Sequence, residues 1–334
     1  MPTILYPEAS YQGVDEERRI FGPNATLVFK AVEQLADFSD AELAEVEGLM
    51  IFRFWCSAAD MARMPRLKAI VRMGVGYDRL DREEAARRSI LICNVPDYGT
   101  TEVADHAMAL ALSLRRGIVF HHDRQRAVPP DGWWSTGSPL LRRLTGQGFG
   151  IVGLGRIGTA VSLRAKAFGF RVAFYDPYRP NGAELALGIE RCASLEELLA
   201  QSDVVSMHLP HSPESAGMMG AAQFAAMPEG SIFVDTARGT NMDIDALYEA
   251  LKSGHLAGAG LDVLPVEPPV EPVPRLLAAY RAREEWLEGR LVVTPHSAYW
   301  TPEANRDIRL KSAETMRAAL MSNRPQNVVL PTDW

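Results

Sequence analysis

The stretch Phe149-Gly-Ile-Val-Gly-Leu-Gly-Arg-Ile-Gly158 decides the fold, because a short apolar run leads directly into a glycine-rich turn. The residues from Arg156 to Phe168 then carry apolar side chains at helical spacing, and Gly169 provides a natural stop. A second apolar run, Arg171–Tyr175, leads to Asp176. We therefore predict a strand, a turn, a helix and a strand, which is the unit that binds dinucleotides.

Each glycine of this Gly-x-Gly-x-x-Gly pattern has a physical task. Gly153 allows a tight turn, Gly155 lets the backbone approach a pyrophosphate, and Gly158 lets helix and strand pack closely. The N-terminus of the helix then faces the phosphates. Asp176 lies 18 residues after Gly158 (176 − 158), about where a carboxylate accepts hydrogen bonds from ribose hydroxyls. The pattern predicts a nicotinamide dinucleotide site.

The acidic residue after the second strand also bears on which cofactor binds. A carboxylate at Asp176 repels the 2′-phosphate of NADP, so we expect NAD to be preferred. Arg179 lies close enough in sequence to favour the phosphate instead. A further alternative is that Asp176 only caps a turn before Pro177.

Length and composition limit the other classes of function. The 334 residues fit two domains, and 47% apolar with 23% charged residues is ordinary for a globular protein. A net charge of −7 argues against nucleic acid as a partner. No apolar run approaches the roughly 20 residues of a membrane span. The three cysteines are far apart, which indicates reduced thiols and a cytoplasmic location, and no pattern indicates a metal site.

Strand-like and helix-like segments alternate along the chain, which predicts parallel α/β layers. A complete small layer precedes the glycine turn, and the last stretch, Pro302–Met321, reads as one amphipathic helix. We predict a substrate-binding domain of residues 1–100 plus 297–334, with an NAD-binding Rossmann domain of residues 101–296 inserted into it. Predicted strands of the first layer cover residues 3–7, 26–30, 48–54, 67–73 and 90–95.

Residues 121–145 lose periodicity and contain two adjacent tryptophans, Trp133 and Trp134. We expect an extended arm here rather than a packed element. Exposed tryptophans in an arm suggest a subunit contact, and the alternative is packing on the parent domain.

Three polar residues at predicted strand ends could carry the chemistry, because ligands of doubly wound sheets bind at strand ends. Arg238 could grip a carboxylate beside a ketone and polarise the carbonyl. His296 could exchange a proton with the alcohol oxygen. Glu267 could hydrogen-bond the other imidazole nitrogen and orient the ring. Asp262 could reach the carboxamide of the cofactor, or could simply cap a turn.

A second glycine turn lies upstream, in Arg72-Met-Gly-Val-Gly-Tyr-Asp78. Exposed backbone N–H groups in such a turn form a seat for an anion. We expect the turn to hold the substrate carboxylate.

Taken together, these motifs resemble the D-isomer-specific 2-hydroxyacid dehydrogenase family, and the likeness covers residues 45–330. Within the family the chain is most similar to the C-terminal-binding-protein branch. The motifs that carry the family likeness are Gly74–Asp78, Asn94–Pro96, Gly153–Gly158, Tyr175–Pro177, Asp235–Gly239, Leu261–Val263 and Thr294–His296. The branch likeness rests on Leu67–Gly74, Leu163–Phe170, Phe174–Tyr178 and Thr294–Trp300.

The resemblance implies two Rossmann-like, doubly wound parallel-sheet domains with a cleft between them, usually in a homodimer. It implies that Arg238, Glu267 and His296 are the catalytic set. It also implies cofactor contacts from Thr100, Gly153, Gly155, Arg156, Ile157, Gly158, Asp176, Pro210, Thr236, Ala237 and Asp262, and substrate contacts from Arg72, Val75, Gly76, Tyr98, Tyr299 and Trp300.

One departure from the family concerns the spacing of the proposed acid–base pair. His296 follows Glu267 by 29 residues (296 − 267), which is longer than the family usually shows. The extra segment, Val273–Gly289, reads as an added amphipathic helix and leaves the position of Glu267 open.

The sequence therefore favours an NAD-dependent oxidoreductase that interconverts a 2-oxo acid and a D-2-hydroxy acid. The competing hypothesis is an NAD(H)-sensing, corepressor-like binding protein with little turnover. The intact arginine, glutamate and histidine set favours the enzyme. Which 2-hydroxy acid is the substrate is not determined by these motifs.

Overall fold

A computed structural model of the protein describes residues 1–9, 13–126, 128–129, 133–134 and 137–333. The chain divides into two compact units. The first consists of Met1–Gly99 and Trp300–Trp334, and the second of Thr100–Tyr299. The prediction of two parallel-sheet α/β domains is confirmed.

In the part of the chain described, the first unit has a five-stranded parallel sheet in the order β2-β1-β3-β4-β5. This is the flavodoxin-like order, in which the carboxyl ends of β1 and β3 flank the point where the chain reverses direction across the sheet. The elements are β1 Thr3–Tyr6, α1 Asp15–Phe21, β2 Thr26–Phe29, α2 Asp40–Ala44, β3 Val46–Ile51, α3 Ala58–Ala62, β4 Ala69–Arg72, α4 Arg82–Arg87 and β5 Leu91–Cys93, with a late helix Pro302–Met321.

The late helix packs on this sheet through a glycine in β3. A Cβ atom built on Gly48 would lie 2.8 Å from Leu320 Cδ1 and 2.9 Å from Met316 Sδ, which is closer than side chains tolerate. Glycine therefore permits the close approach of the helix. The predicted bounds of the helix, Pro302–Met321, are confirmed, and Thr301 caps its N-terminus by accepting from Ala304 N.

The second unit has a seven-stranded parallel sheet in the order β12-β11-β10-β9-β6-β7-β8, again for the described residues. The order reverses between β6 and β9, and this is where doubly wound sheets bind dinucleotides. The elements are α5 Thr100–Arg115, α6 Ile118–Arg126, β6 Gly148–Val152, α7 Arg156–Ala167, β7 Arg171–Tyr175, α8 Ala183–Leu187, β8 Glu190–Arg191, α9 Leu195–Ala200, β9 Val204–Met207, α10 Ala221–Ala226, β10 Ser231–Asp235, α11 Ile244–Lys252, β11 Leu256–Leu261, α12 Arg275–Arg281 and β12 Leu291–Val293, and the late helix of the first unit is α13.

Both faces of the second sheet are covered, as a parallel sheet requires. On one face, α5 and α7 bury Leu110 and Val161 against Phe149 of β6. On the other face, α9, α10 and α11 bury side chains such as Leu247 against Phe233 of β10. The two layers fix the strand ends that carry the polar residues.

Two expectations about irregular segments were wrong in part. The arm expected at residues 121–145 begins as helix, because α6 covers Ile118–Arg126. Trp133 and Trp134 are 79% and 85% exposed, and the rest of the arm includes residues outside the described part of the chain. The added helix expected within Val273–Gly289 is short.

This added helix, α12, ends at Arg281 because Arg283 takes a left-handed backbone with φ of 54°. A short 3₁₀ turn, Glu285–Leu287, follows. Arg275 ties α12 to α11 through ion pairs with Asp245 and Glu249. The insertion therefore packs on the outside of the second unit's α11.

Two other features are absent from the described residues. No helix there is long and apolar enough to cross a membrane. In the same residues, no group of three or more histidine, cysteine, aspartate or glutamate side chains is arranged to hold a metal ion.

Candidate active site

The glycine turn between β6 and α7 has the geometry that its sequence predicts. Gly153 has a φ of 90°, which favours glycine. A Cβ on Gly158 would lie 2.1 Å from the carbonyl oxygen of Gly153, so only glycine fits where the helix crosses the strand. Gly155 is different, because its Cβ would meet only the end of the Arg179 side chain, at 3.7 Å. The backbone at Gly155 therefore faces open space.

The N-terminus of α7 provides the donors for an anion beside this open backbone. Gly155 is the N-cap residue and offers no side chain to cap the helix. The amides of the first turn, which includes Arg156 and Ile157, point along the helix axis toward this end. An open glycine backbone followed by an uncapped helix N-terminus fits the pyrophosphate of a dinucleotide.

Asp176 follows β7 and is joined to the same turn. Its carboxylate accepts hydrogen bonds from Leu154 N at 2.8 Å and from Tyr178 N at 3.0 Å. Arg179 Nε lies 3.7 Å from the carboxylate. Asp176 thus does cap the turn, as the alternative interpretation expected. A ribose hydroxyl would have to donate to the carboxylate lone pairs that these two amides leave unused.

Other predicted cofactor residues lie at the ends of neighbouring elements. Pro210 follows β9, across the switch point from β6, and its carbonyl accepts from Ser215 Oγ at 2.8 Å. Thr236 and Ala237 follow β10, and Thr236 Oγ1 is buried without a partner among the described residues. Thr100 begins α5. These positions are on one unit, at the carboxyl edge of its sheet or, for Thr100, at a helix start.

The predicted acid–base pair is hydrogen-bonded in the structure. His296 Nδ1 lies 2.6 Å from Glu267 Oε2, so the long insertion does not separate the two residues. Leu264 N donates to Glu267 Oε1 at 2.9 Å and fixes the carboxylate from the other side. Burial opposes the charge on Glu267, but the hydrogen bond and charge of His296 outweigh it. The pKa of Glu267 therefore lies below its ordinary value.

Asp262 holds the segment that carries His296. Its backbone oxygen accepts from His296 N at 2.8 Å. Its carboxylate accepts from Ser297 N at 2.9 Å and from Ala298 N at 3.0 Å. Thr294 Oγ1 donates to the same carboxylate at 2.6 Å. Asp262 is only 2% exposed. Both oxygens of its buried carboxylate are satisfied by these hydrogen bonds.

This clamp explains how His296 keeps an unusual backbone. His296 has a φ of 50°, a left-handed conformation that costs roughly 1–2 kcal/mol for a residue with a Cβ atom. Hydrogen bonds to a charged group are worth about 1.5–3 kcal/mol each. The bonds to the Asp262 carboxylate therefore outweigh the backbone cost, and they define where the imidazole projects.

Arg238 follows β10 in extended backbone and precedes a short 3₁₀ turn, Gly239–Asn241. Its Nη1 donates to the carbonyl oxygen of Ala237 at 2.7 Å. The positive charge of Arg238 also contributes to lowering the pKa of Glu267. Arg238, Glu267 and His296 are thus brought together at one edge of the second unit.

A buried carboxyl group lies directly before this arginine segment. Asp235, the last residue of β10, is fully buried, and its Oδ1 accepts from Ala237 N at 2.8 Å. Its Oδ2 has no partner among the described residues. Burial raises the pKa of Asp235 to about 7, with a further contribution from the charge of Asp262. Asp235 is therefore held largely as a neutral acid below neutral pH.

The predicted substrate residues of the first unit lie at the carboxyl ends of β4 and β5, except for Trp300, which precedes α13. Arg72 ends β4. Its guanidinium occupies the space that a Cβ atom on Gly74 would fill, and it lies 5.8 Å from the centre of the Phe52 ring. Asn94 Nδ2 donates to the carbonyl oxygen of Val75 at 2.7 Å and braces the second glycine turn. Tyr98 is 8% exposed, whereas Trp300 is 57% exposed.

The other two predicted substrate residues occupy different settings. Gly76 lies in the turn after Val75, where the residues are partly buried. Tyr299 belongs to the second unit, and its ring lies 6.3 Å from the His296 ring in an edge-on orientation. The Tyr299 ring therefore lies beside the imidazole of His296.

Three polar residues of the site were missed by the sequence analysis. Asp235 had a signal, since an acidic residue that closes an apolar strand is expected to be buried. Thr294 also had one, because it ends the strand two residues before His296. His106, whose Nε2 lies 2.9 Å from Thr294 Oγ1, had none: it is one polar residue on an otherwise ordinary amphipathic helix.

Comparisons with known proteins agree with this architecture. A family model described as the NAD-binding domain of D-isomer specific 2-hydroxyacid dehydrogenases matches residues 108–298. A glyoxylate reductase of Korarchaeum cryptofilum (strain OPF8) is 37% identical over 270 residues, covering 79% of this chain and 76% of the relative. A D-3-phosphoglycerate dehydrogenase of Mycobacterium leprae (strain TN) is 36% identical over 306 residues. That match covers 91% of this chain but 53% of the relative, so the chain spans about half of it.

A solved structure extends the likeness to both units. The crystal structure of D-lactate dehydrogenase from Aquifex aeolicus, complexed with NAD and lactic acid, is 26% identical with a TM-score of 0.81. The match covers 99% of this chain and 100% of that one. None of these three names points to the C-terminal-binding-protein branch, which stays a prediction.

One added methyl group is expected to have different effects at Gly158 and at Gly155. Gly158→Ala should destabilise the fold by roughly 1–3 kcal/mol, because its Cβ meets the Gly153 carbonyl. Gly155→Ala should leave stability near that of the wild type and weaken NADH binding at least tenfold, because its Cβ enters the phosphate seat. Urea unfolding and NADH fluorescence titration measure the two effects. Equal stability losses in the two variants would contradict this description of the turn.

Asp235 predicts a pH dependence of folding stability. Its pKa is about 7 in the folded chain against an ordinary value of 3.8, so the folded state retains a proton that the unfolded chain releases. The stabilisation is complete below the ordinary value and is lost as pH rises through about 7.

In urea unfolding between pH 4 and pH 8, Asp235→Asn should reduce this fall in unfolding free energy by roughly 1–4 kcal/mol. Asp123→Asn, at an exposed position on α6, is the matched control and should keep the wild-type slope. Parallel curves for wild type and Asp235→Asn would show that the buried acid does not titrate in this range.

Proposed function

The chain belongs to the D-isomer specific 2-hydroxyacid dehydrogenase family, and on this premise we propose that it interconverts a 2-oxo acid and a D-2-hydroxy acid using NAD. The 2.6 Å hydrogen bond between His296 Nδ1 and Glu267 Oε2 is the observation that carries the proposal. A proton donor held in this way beside an arginine is what reduction of a 2-oxo acid requires.

The nicotinamide of the bound cofactor supplies the hydride. The open backbone at Gly155 and the first turn of α7 bind the pyrophosphate, and Asp176 accepts from the ribose. Arg179 stays beside Asp176, where it partly neutralises the carboxylate. We propose that NAD is nevertheless preferred over NADP, because the carboxylate that contacts the turn would lie next to a 2′-phosphate.

Arg238 binds the substrate carboxylate with two parallel hydrogen bonds and polarises the neighbouring ketone. Within the second unit, we propose that Tyr299, whose ring lies 6.3 Å from that of His296, also contacts the substrate. Arg72, Val75, Gly76, Tyr98 and Trp300 of the first unit stay predicted substrate contacts.

The contact with Glu267 determines which nitrogen of His296 transfers the proton. A carboxylate only accepts hydrogen bonds, so the Nδ1 of His296 must carry a hydrogen. The Nε2 atom is then the one that gives its proton to the developing alkoxide during reduction, or takes the proton of the alcohol during oxidation. Glu267 stabilises the charged imidazole, and the Asp262 clamp keeps the ring in place.

The alternative of a corepressor-like NAD(H) sensor gains no support from this geometry. A sensor needs the nucleotide seat but has no use for an oriented proton donor. We further propose a homodimer, with the exposed Trp133 and Trp134 as candidate contacts, and a cytoplasmic location, which the three buried free thiols suit.

Arg238 is the most direct test of carboxylate binding. Arg238→Gln should lower kcat/KM for 2-oxo acid reduction by roughly two to three orders of magnitude, because the bidentate grip and the polarising charge are lost. The dissociation constant of NADH should stay within about twofold of wild type, as the cofactor seat is on other residues. Activity within a few fold of wild type would mean that another residue binds the carboxylate.

Glu267 predicts a change in the pH profile rather than a uniform loss. Reduction requires protonated His296, and Glu267 is charged over the working range because its pKa is lowered. Glu267→Gln removes the charge that favours the imidazolium, so the reduction rate should begin to fall at lower pH than in wild type. His296→Ala is the comparison and should depress the rate at every pH. Superimposable profiles for Glu267→Gln and wild type would exclude the proposed coupling.

A further inference from the structure

We propose that His106 is a positioning residue for His296, acting through Thr294 and Asp262. The proposal builds on the role given to His296 above, and adds a residue on α5 that the catalytic set does not include. The basis is a chain of short contacts, all within the second unit.

The first step is the hydrogen bond between His106 and Thr294. His106 Nε2 lies 2.9 Å from Thr294 Oγ1, and Thr294 Oγ1 lies 2.6 Å from Asp262 Oδ1. The threonine hydroxyl has one proton, and the carboxylate can only accept. That proton therefore goes to Asp262, and His106 Nε2 must donate to the threonine oxygen. Both hydrogen bonds therefore run in one direction, from His106 to Thr294 and from Thr294 to Asp262.

The second step is the effect of these bonds on the carboxylate. The β-branched side chain of Thr294 has few χ1 rotamers, but its hydroxyl hydrogen turns about the Cβ–Oγ1 bond unless hydrogen bonds hold it. With His106 donating and Asp262 accepting, the hydroxyl has one orientation, and Asp262 Oδ1 is fixed in the position where it also accepts from Ser297 N. His106 Nε2 is itself 3.7 Å from Asp262 Oδ1, so it lies close to the same oxygen.

The third step leads to the imidazole of His296. The clamp depends on an Asp262 carboxylate that faces Ser297 and Ala298 while the Asp262 backbone accepts from His296 N. A carboxylate that turned away would release two amides next to a residue with a φ of 50°. The left-handed backbone of His296 would then lose the bonds that offset its cost.

This series of hydrogen bonds also links two structural elements that are distant in sequence. His106 lies in the middle of α5, while Thr294 directly follows β12. His106 is therefore carried by a rigid helix packed on the sheet, which is a better anchor than a loop residue. His106 reaches the histidine segment through Thr294 and Asp262, whereas Glu267 is hydrogen-bonded to the imidazole of His296 directly.

Two substitutions break the series of hydrogen bonds at different points, and two others conserve it. His106→Leu removes the donor, and Thr294→Val replaces the hydroxyl by a methyl group of similar size. His106→Gln can place an amide nitrogen near the position of Nε2, and Thr294→Ser retains the hydroxyl. Asp105→Asn, next to His106, removes an exposed ion pair with Arg164 and is the control for any general effect on α5.

The decisive readout does not depend on turnover. In full-length protein labelled with ¹⁵N-histidine, the imidazole signals of His296 are identified by their loss in His296→Gln. We expect these signals to shift in His106→Leu and in Thr294→Val, and to stay near their wild-type positions in His106→Gln, Thr294→Ser and Asp105→Asn. With NADH and a 2-oxo acid, kcat should fall roughly 10- to 100-fold in the first two variants, with NADH affinity retained.

The outcomes separate this inference from the proposed function. Unchanged His296 signals in both His106→Leu and Thr294→Val would overturn the positioning role, even if the protein is an active dehydrogenase. Shifted signals in a protein that reduces no 2-oxo acid would support the positioning role and count against the proposed function. If both variants failed to fold, the residues would serve the fold rather than the site, and the inference would be wrong.

Discussion

The site depends on one buried carboxylate, that of Asp262. A charge this deeply buried is tolerated only because it accepts several hydrogen bonds, and most of its donors belong to the segment that carries His296. The need to satisfy the carboxylate and the need to place the imidazole are therefore met by the same contacts. Glu267 accepts a hydrogen bond from Nδ1 of the same imidazole and so orients the ring.

The proposed cofactor seat follows a different principle, since it would be built mainly from backbone. Gly153 and Gly158 allow strand, turn and helix to approach within contact distance, and the space beside Gly155 is open. The two parts of the site meet at β10 and β11, whose ends carry Asp235 and Asp262. One of these acids is neutral below about pH 7, because its burial is not offset by as many donors. The carboxylate of Asp262, by contrast, accepts hydrogen bonds at both of its oxygens.

Much of this arrangement could be predicted from the sequence, because it is encoded locally. The glycine turn follows from spacing and context, and the helix Pro302–Met321 follows from periodicity and capping. The pairing of Glu267 with His296 was predicted as chemistry, although the 29-residue interval left its geometry open. The short form of α12 was missed because the left-handed Arg283, which ends it, has no signal in a charged, helix-forming stretch.

The part that could not be predicted is long-range. His106 and Thr294 lie 188 residues apart, and nothing in either local pattern indicates that they are in contact. Helix periodicity identifies the face of α5 that is buried, but not the polar atom that a partly buried histidine will meet. Such contacts are determined by how α5 packs across β11 and β12, which only the folded chain shows.

The central claim is tested most directly by supplying the protein with NADH and a series of 2-oxo acids, from glyoxylate to arylpyruvates, and determining the configuration of each chiral product. The proposal predicts turnover with at least one 2-oxo acid, formation of the D-hydroxy acid, and a higher kcat/KM with NADH than with NADPH. Tight binding of NADH without turnover of any 2-oxo acid, or formation of the L-hydroxy acid, would contradict it.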